Sequence, residues 1–201
     1  MTPPLAIDRR EVLKLGGAAS IALLAPAGTA PVAAVPRGTA SSTIVLADHR
    51  YAESVIFAAS LERQGARIIE LASDRARTWF DAVEPLLLPL GLRSLAGLTL
   101  ESDLFVLERL AAQSGARKCY VGLHDWRCRE GSAHRLSATI DLDPIATALV
   151  TGKERWAECL GEALGRTEMQ SRTERRLALN CPMPAARGPR FFVSWLIRWT
   201  A

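Results

Sequence analysis

Short apolar runs alternate with amphipathic segments along most of this chain. The runs combine aliphatic and β-branched residues, which is typical of buried strands, and they predict strands at 43–47, 67–72, 95–98, 118–123, 134–140 and 191–199. Between them, apolar residues recur at helical spacing, which predicts helices at 53–64, 78–88, 102–114 and 155–164. The pattern is that of a protein in which strands and helices alternate.

A repeated tripeptide supports this plan. Gly65-Ala66-Arg67 and Gly115-Ala116-Arg117 each follow a predicted helix and precede a predicted strand. Glycine commonly ends a helix because it adopts the left-handed backbone conformation without a steric penalty. Two copies of one strand–helix–strand unit indicate the fold more strongly than either copy alone.

The alternation predicts an α/β fold. Apolar strands joined through helices form parallel pairs with right-handed crossovers, and their helices cover both faces of the sheet. We therefore expect residues 43–125 to form an open, mostly parallel sheet in a flavodoxin-like or Rossmann-like three-layer arrangement. The rest of the chain is less regular and is expected to be stapled by disulfides.

The N-terminus has a different character. Arg9 and Arg10 are followed by Val12-Leu13-Lys14 and then by a Gly- and Ala-rich apolar run at 15–25. That run is shorter than the ~20 residues that a membrane-spanning helix needs. Small residues at 25–27 and 32–34 offer cleavage sites.

This N-terminal segment resembles a twin-arginine export signal. The resemblance implies a periplasmic protein that crosses the membrane folded, with the twin-arginine translocase as a partner during export. It divides the chain into a signal at 1–34, a linker at 35–42 and a single α/β domain at 43–201. Contact with the membrane is expected only through the signal, if it stays uncleaved.

Composition and charge narrow the function classes. The chain is 49% hydrophobic and 23% charged, which suits a globular domain with a full core. Its formal net charge of +4 is modest and dispersed, so nucleic acid is not an expected partner. The basic residues Arg166, Arg172, Arg175 and Arg176 lie among glutamates and are interpreted as a solvated helix face.

All four cysteines lie in the second half of the chain, at Cys119, Cys128, Cys159 and Cys181. In an exported protein an even number of cysteines favours disulfides over a metal site. Three pairings are possible, and Cys119–Cys128 with Cys159–Cys181 is the most local.

Candidate chemistry lies where the predicted strands end, because ligands of open α/β sheets bind beyond the carboxyl ends of the strands. His49 and His124 occupy corresponding positions there and are the candidate general acid–base groups. The candidate ligand-binding residues are Asp48, Arg50, Asp74, Glu101, Asp125 and Arg127. A divalent metal held by His49, His124 and an aspartate, with His134 as a third imidazole, is an alternative, and hydrogen-bonded loop residues without chemistry are another.

The sequence contains no nucleophile elbow, phosphate loop or dinucleotide fingerprint, and it indicates no particular cofactor. Asp141 and Asp143 are interpreted as a turn or helix start rather than metal ligands. The function expected is binding, either of a small ligand in the strand-end crevice or of a periplasmic partner protein. The alternative is a periplasmic hydrolase or transferase that uses His49 and His124.

Overall fold

A computed structural model describes residues 42–87, 91–125, 132–167, 173–181 and 191–199. The predicted signal, most of the predicted linker, Arg127 and Cys128 lie outside these ranges. The signal and linker therefore stay predictions from the sequence.

Within this part of the chain, seven strands form one sheet in the order β2-β1-β3-β7-β4-β5-β6. The strands are β1 (Thr43–Ala47), β2 (Arg67–Glu70), β3 (Ser94–Thr99), β4 (Ala116–Asp125), β5 (Ser132–Ala138), β6 (Arg175–Cys181) and β7 (Phe191–Trp199). β1 pairs in parallel with β2 and β3. Every other pairing is antiparallel.

The mostly parallel sheet that the alternation predicted is therefore wrong, although the α/β class is confirmed. β1 to β4 do point the same way, but β7 is inserted between β3 and β4 and runs against both. The physical reason is the composition of β7, which is buried on both faces from Phe192 to Ile197. Such a strand is most stable at the centre of a sheet, where both faces are covered.

Helices cover both faces of the sheet, as predicted. α1 (Ala52–Glu62), α4 (Asp143–Gly152) and α5 (Trp156–Gly165) pack on one face, which we call the α1/α5 face. α2 (Arg75–Thr78) and α3 (Glu101–Gln113) pack on the other. α2 continues as a π-helical turn, Trp79–Val83, and then as a 3-10 turn that contains Pro85. The expected helix at 78–88 is thus irregular, because proline cannot continue the α-helical hydrogen bonds.

The two Gly-Ala-Arg copies perform the same task, as predicted. Gly65 has φ +92° after α1, and Gly115 has φ +83° after α3. Each glycine reverses the chain into a strand, β2 or β4. A residue with a Cβ atom would generally lose ~1–2 kcal/mol of conformational free energy in this left-handed region.

The C-terminal half matches the sequence in part. The strands expected at 134–140 and 191–199 and the helix at 155–164 are present as β5, β7 and α5. α4 was not predicted as a helix. The assignment of Arg175 and Arg176 to a helix face was wrong, because both lie in β6. There the partly buried Leu177 and Leu179 alternate with exposed residues, which is the period of a strand.

The disulfide-stapled C-terminal part is not supported. Cys119 and Cys159 are free thiols, and each expected pair includes one of them. The side chains of Cys128 and Cys181 lie outside the described residues. Cys119 instead donates a 3.3 Å hydrogen bond to the Leu196 carbonyl.

Among the helices of the described ranges, none is both long and apolar enough to cross a membrane.

Candidate functional site

The sheet has a topological switch point between β1 and β3. These neighbouring strands are parallel, yet α1 leaves β1 toward one face of the sheet and α3 leaves β3 toward the other. Where successive helices diverge in this way, a crevice opens beyond the carboxyl ends of the two strands. A ligand-binding site is therefore expected at the loops after β1 and β3.

Asp48 follows β1 and its side chain is almost completely buried. Its carboxylate accepts hydrogen bonds from the Arg50 Nε atom at 2.9 Å and from Arg50 Nη2 at 2.6 Å. Its backbone N–H donates to Ser54 Oγ at 2.9 Å, which ties the loop to α1. Burial raises the pKa of Asp48, but the Arg50 hydrogen bonds and the charges of Arg50 and Arg75 outweigh it, so the net pKa is lowered. Asp48 is therefore ionised at neutral pH.

Asp103 lies in the first turn of α3, and its side chain is 6% exposed. Its Oδ1 atom accepts a 2.7 Å hydrogen bond from Arg75 Nε. Its Oδ2 atom is buried without a hydrogen-bond partner, and Arg50 Nη2 lies 3.9 Å from it. Asp48, Arg50, Arg75 and Asp103 thus join the ends of three strands, and we call them the carboxylate–arginine cluster.

The structure brings together Asp48 and Arg50 of the predicted ligand-binding residues. Asp74 instead caps α2 by accepting from the Arg77 N–H at 3.0 Å. Glu101 is exposed on the first turn of α3, and Asp125 is half-buried at the end of β4.

Sequence reasoning missed Asp103 as a site residue. An acidic residue in a first helical turn is common because it interacts favourably with the helix dipole. Nothing local therefore separated Asp103 from an ordinary helix start. Its pairing with Arg75, 28 positions away, exists only in the folded chain.

His124 belongs to a different, fully buried network on the α1/α5 face. Its Nδ1 atom lies 2.8 Å from His134 Nδ1, its cross-strand neighbour on β5. Its Nε2 atom lies 2.7 Å from Ser194 Oγ, which in turn lies 2.8 Å from the Tyr120 hydroxyl. The Trp156 ring packs over His124 with ring centroids 5.2 Å apart.

This network stays uncharged at neutral pH. Burial, together with the neighbouring His134, lowers the pKa of His124 well below its usual value. Burial lowers the pKa of His134 to about 4. With both rings neutral, one Nδ1 atom carries a proton and donates to the other, and the Ser194 hydroxyl pairs with His124 Nε2. The role of His124 in the structure is that of a hydrogen-bonded core histidine.

His49 and His124 do not form a common site. His49 is exposed in the loop after β1, whereas His124 is on β4, and β3 and β7 lie between those strands. Three strand spacings separate them by ~14 Å, too far for one metal ion or one proton transfer. The described ranges contain no group of three or more histidine, cysteine or acidic residues arranged for a metal. Asp141 Oδ1 accepts the Asp143 N–H at 3.0 Å, which is the turn that starts α4.

No family model, curated protein or solved structure matches this chain.

Proposed function

We propose that this protein binds a small ligand in the crevice between β1 and β3. The observation that supports this is the burial of the Asp48 and Asp103 carboxylates, each paired with an arginine, at the switch point. Burying ions costs several kcal/mol each, and apolar replacements of buried ion pairs are often as stable or more stable. A contribution to the stability of the fold therefore does not explain these buried charges, whereas recognition of a ligand would explain them.

The protein's own hydrogen bonds hold the cluster in place. The Ser54 hydrogen bond fixes the backbone at Asp48, and Asp103 and Arg75 fix each other. Arg50 has a side chain that is 52% exposed, so part of its guanidinium faces solvent. Groups ordered in advance lose less entropy on binding, which favours affinity.

An aromatic surface adjoins the charged groups. The Arg50 guanidinium carbon lies 5.3 Å from the centre of the Tyr51 ring, and that ring packs edge-on against Phe192 at 5.5 Å. Aromatic rings and fixed polar groups therefore lie side by side at Arg50, a combination that is usual in small-molecule sites. The enzyme alternative has less support, because the two candidate histidines lie apart.

Native mass spectrometry of the protein isolated from its own cells tests this function. We expect excess mass from a retained ligand in the wild type and its loss in Asp48→Asn, which keeps the side-chain shape but removes the charge. Asp81→Asn, the same change at an exposed position on the π-helical turn, should retain the ligand. A wild type with no excess mass would contradict the proposal. Circular dichroism checks that both variants fold.

We also propose that the protein reaches the periplasm through the twin-arginine route. The support is the Arg9-Arg10 pair with its short apolar run. Replacement of both arginines by lysine should leave the unprocessed protein in the cytoplasm, whereas the wild type should appear in the periplasm without its N-terminal segment. Cell fractionation and N-terminal sequencing measure this. Equal export of both forms would exclude the route.

A partner protein exported together with this chain is a second candidate. The observation is a cavity of about 370 Å³ on the sheet face opposite α4 and α5, where Val121 and Leu123 are half-buried beside the exposed Arg135 and Arg176. The two arginines favour a partner with an acidic surface. Light scattering should then detect a complex in the wild type that Leu123→Asp abolishes. A monomer in both would argue against a partner.

A further inference from the structure

We propose that the ligand of this crevice is polyhydroxylated, a sugar or polyol, and that one of its hydroxyl groups bridges Asp103 and Arg50. This inference rests on the proposed ligand-binding function and specifies its chemistry. It starts from the atom in the cluster that lacks a hydrogen bond.

Asp103 Oδ2 is a buried acceptor without a donor. Buried polar atoms almost always have a partner, because an unpaired one bears the full cost of leaving water. Arg75 already occupies the other oxygen of this carboxylate. The cluster itself therefore supplies no donor to this oxygen, and a ligand could supply one.

Arg50 presents the complementary groups. Its Nε and Nη2 atoms bind Asp48, and its Nη1 atom makes no hydrogen bond to any residue that the structure describes. Arg50 Nη2 lies 3.9 Å from Asp103 Oδ2, which is too far for a direct hydrogen bond. A hydroxyl group both donates and accepts, so a single one placed between them can donate to Asp103 and accept from Arg50.

The charges around this gap disfavour ionic ligands. A carboxylate would face Asp103, and Glu53 and Glu101 already occupy the first turns of α1 and α3. An ammonium group would face Arg50 and Arg75. A neutral hydroxyl group is repelled by neither kind of charge. The two carboxylates of the cluster already balance its two guanidinium groups, so a neutral ligand leaves the charges paired. The Tyr51 ring beside Arg50 supplies an apolar surface for the C–H groups of such a ligand.

The experiment is an NMR titration of the ¹⁵N-labelled protein with three small probes. Glycerol is neutral, serinol replaces its central hydroxyl by an ammonium group, and glycerate carries a carboxylate. We expect glycerol to shift the backbone amides of Arg50 and Asp103, and the two charged probes to bind more weakly. Asp103→Asn should weaken glycerol binding by about tenfold, the usual effect of losing a hydrogen bond to a charged group. The matched control Asp81→Asn should bind glycerol as the wild type does.

Each outcome decides between the alternatives. Stronger binding of serinol or glycerate at these amides would overturn the hydroxyl assignment while supporting a ligand site in the crevice. Shifts by none of the probes would overturn the assignment, and native mass spectrometry would still decide the proposed function independently. If Asp103→Asn does not fold, Arg50→Lys keeps the charge beside Asp48 but removes the guanidinium donors, and it should cause the same loss. Glycerol binding that neither variant changes would also overturn the proposal.

Discussion

Acidification should destabilise this protein through the buried pair His124 and His134. Both imidazoles have a lowered pKa in the folded state, so the unfolded chain binds more protons as the pH falls. The free energy of unfolding is therefore unaffected by these histidines above pH 6.5, the pKa of histidine in the unfolded chain. It decreases as the pH falls below that value. The loss continues until the pH reaches the folded pKa of His134, about 4.

The magnitude follows from His134 alone. With a pKa of about 4 in the folded state and 6.5 when unfolded, this residue removes about 2 kcal/mol of stability between neutral pH and about pH 5. His124 acts in the same direction. Asp48 contributes little in this window, because the stability from its lowered pKa is lost only as the pH falls toward and below its ordinary value of 3.8.

Urea denaturation at about pH 7.5 and about pH 5 measures the effect, since the change in unfolding free energy between the two conditions isolates the proton uptake. In His134→Asn, which keeps a polar side chain but cannot titrate, this change should shrink by about 2 kcal/mol. His49→Asn is the control, because His49 is exposed and outside the buried network. An equal pH dependence in His134→Asn and the wild type would refute the reasoning.

Three further predictions concern the core and the turns. Ser194→Ala should cost about 2 kcal/mol of unfolding free energy, because it removes the hydrogen bonds of the Ser194 hydroxyl to His124 Nε2 and to the Tyr120 hydroxyl; Ser102→Ala, an exposed control, should cost little, and equal losses would contradict the network. Gly115→Ala should cost about 1–2 kcal/mol through its φ of +83° although its side of the turn is open, and an unchanged urea midpoint would disprove the strain. Burial raises the pKa of Cys119 to about 11, so peptide mapping after iodoacetamide treatment should find Cys119 unmodified in the folded protein and the half-buried Cys159 alkylated. Rapid alkylation of Cys119 without unfolding would show that its thiol is accessible.

The local elements of this protein follow from the order of its residues. The glycines at 65 and 115 end their helices because the left-handed conformation is a property of the residue and its turn. The apolar run from Phe191 to Trp199 is a strand with the boundaries that its sequence predicts. These features depend on residues only a few positions apart in the sequence, so the sequence pattern is enough to predict them.

The pairing of the strands and the contacts between polar groups depend instead on tertiary packing. The last strand of the sequence enters the middle of the sheet, which turned an expected parallel arrangement into a mixed one. The alternation along β4 places His124 on the same face as Tyr120, beneath Trp156, where burial keeps it neutral. Asp103 meets Arg75 only because α2 and α3 pack on the same face of the sheet. Contacts between distant segments depend on packing the whole core at once, and no local pattern encodes them.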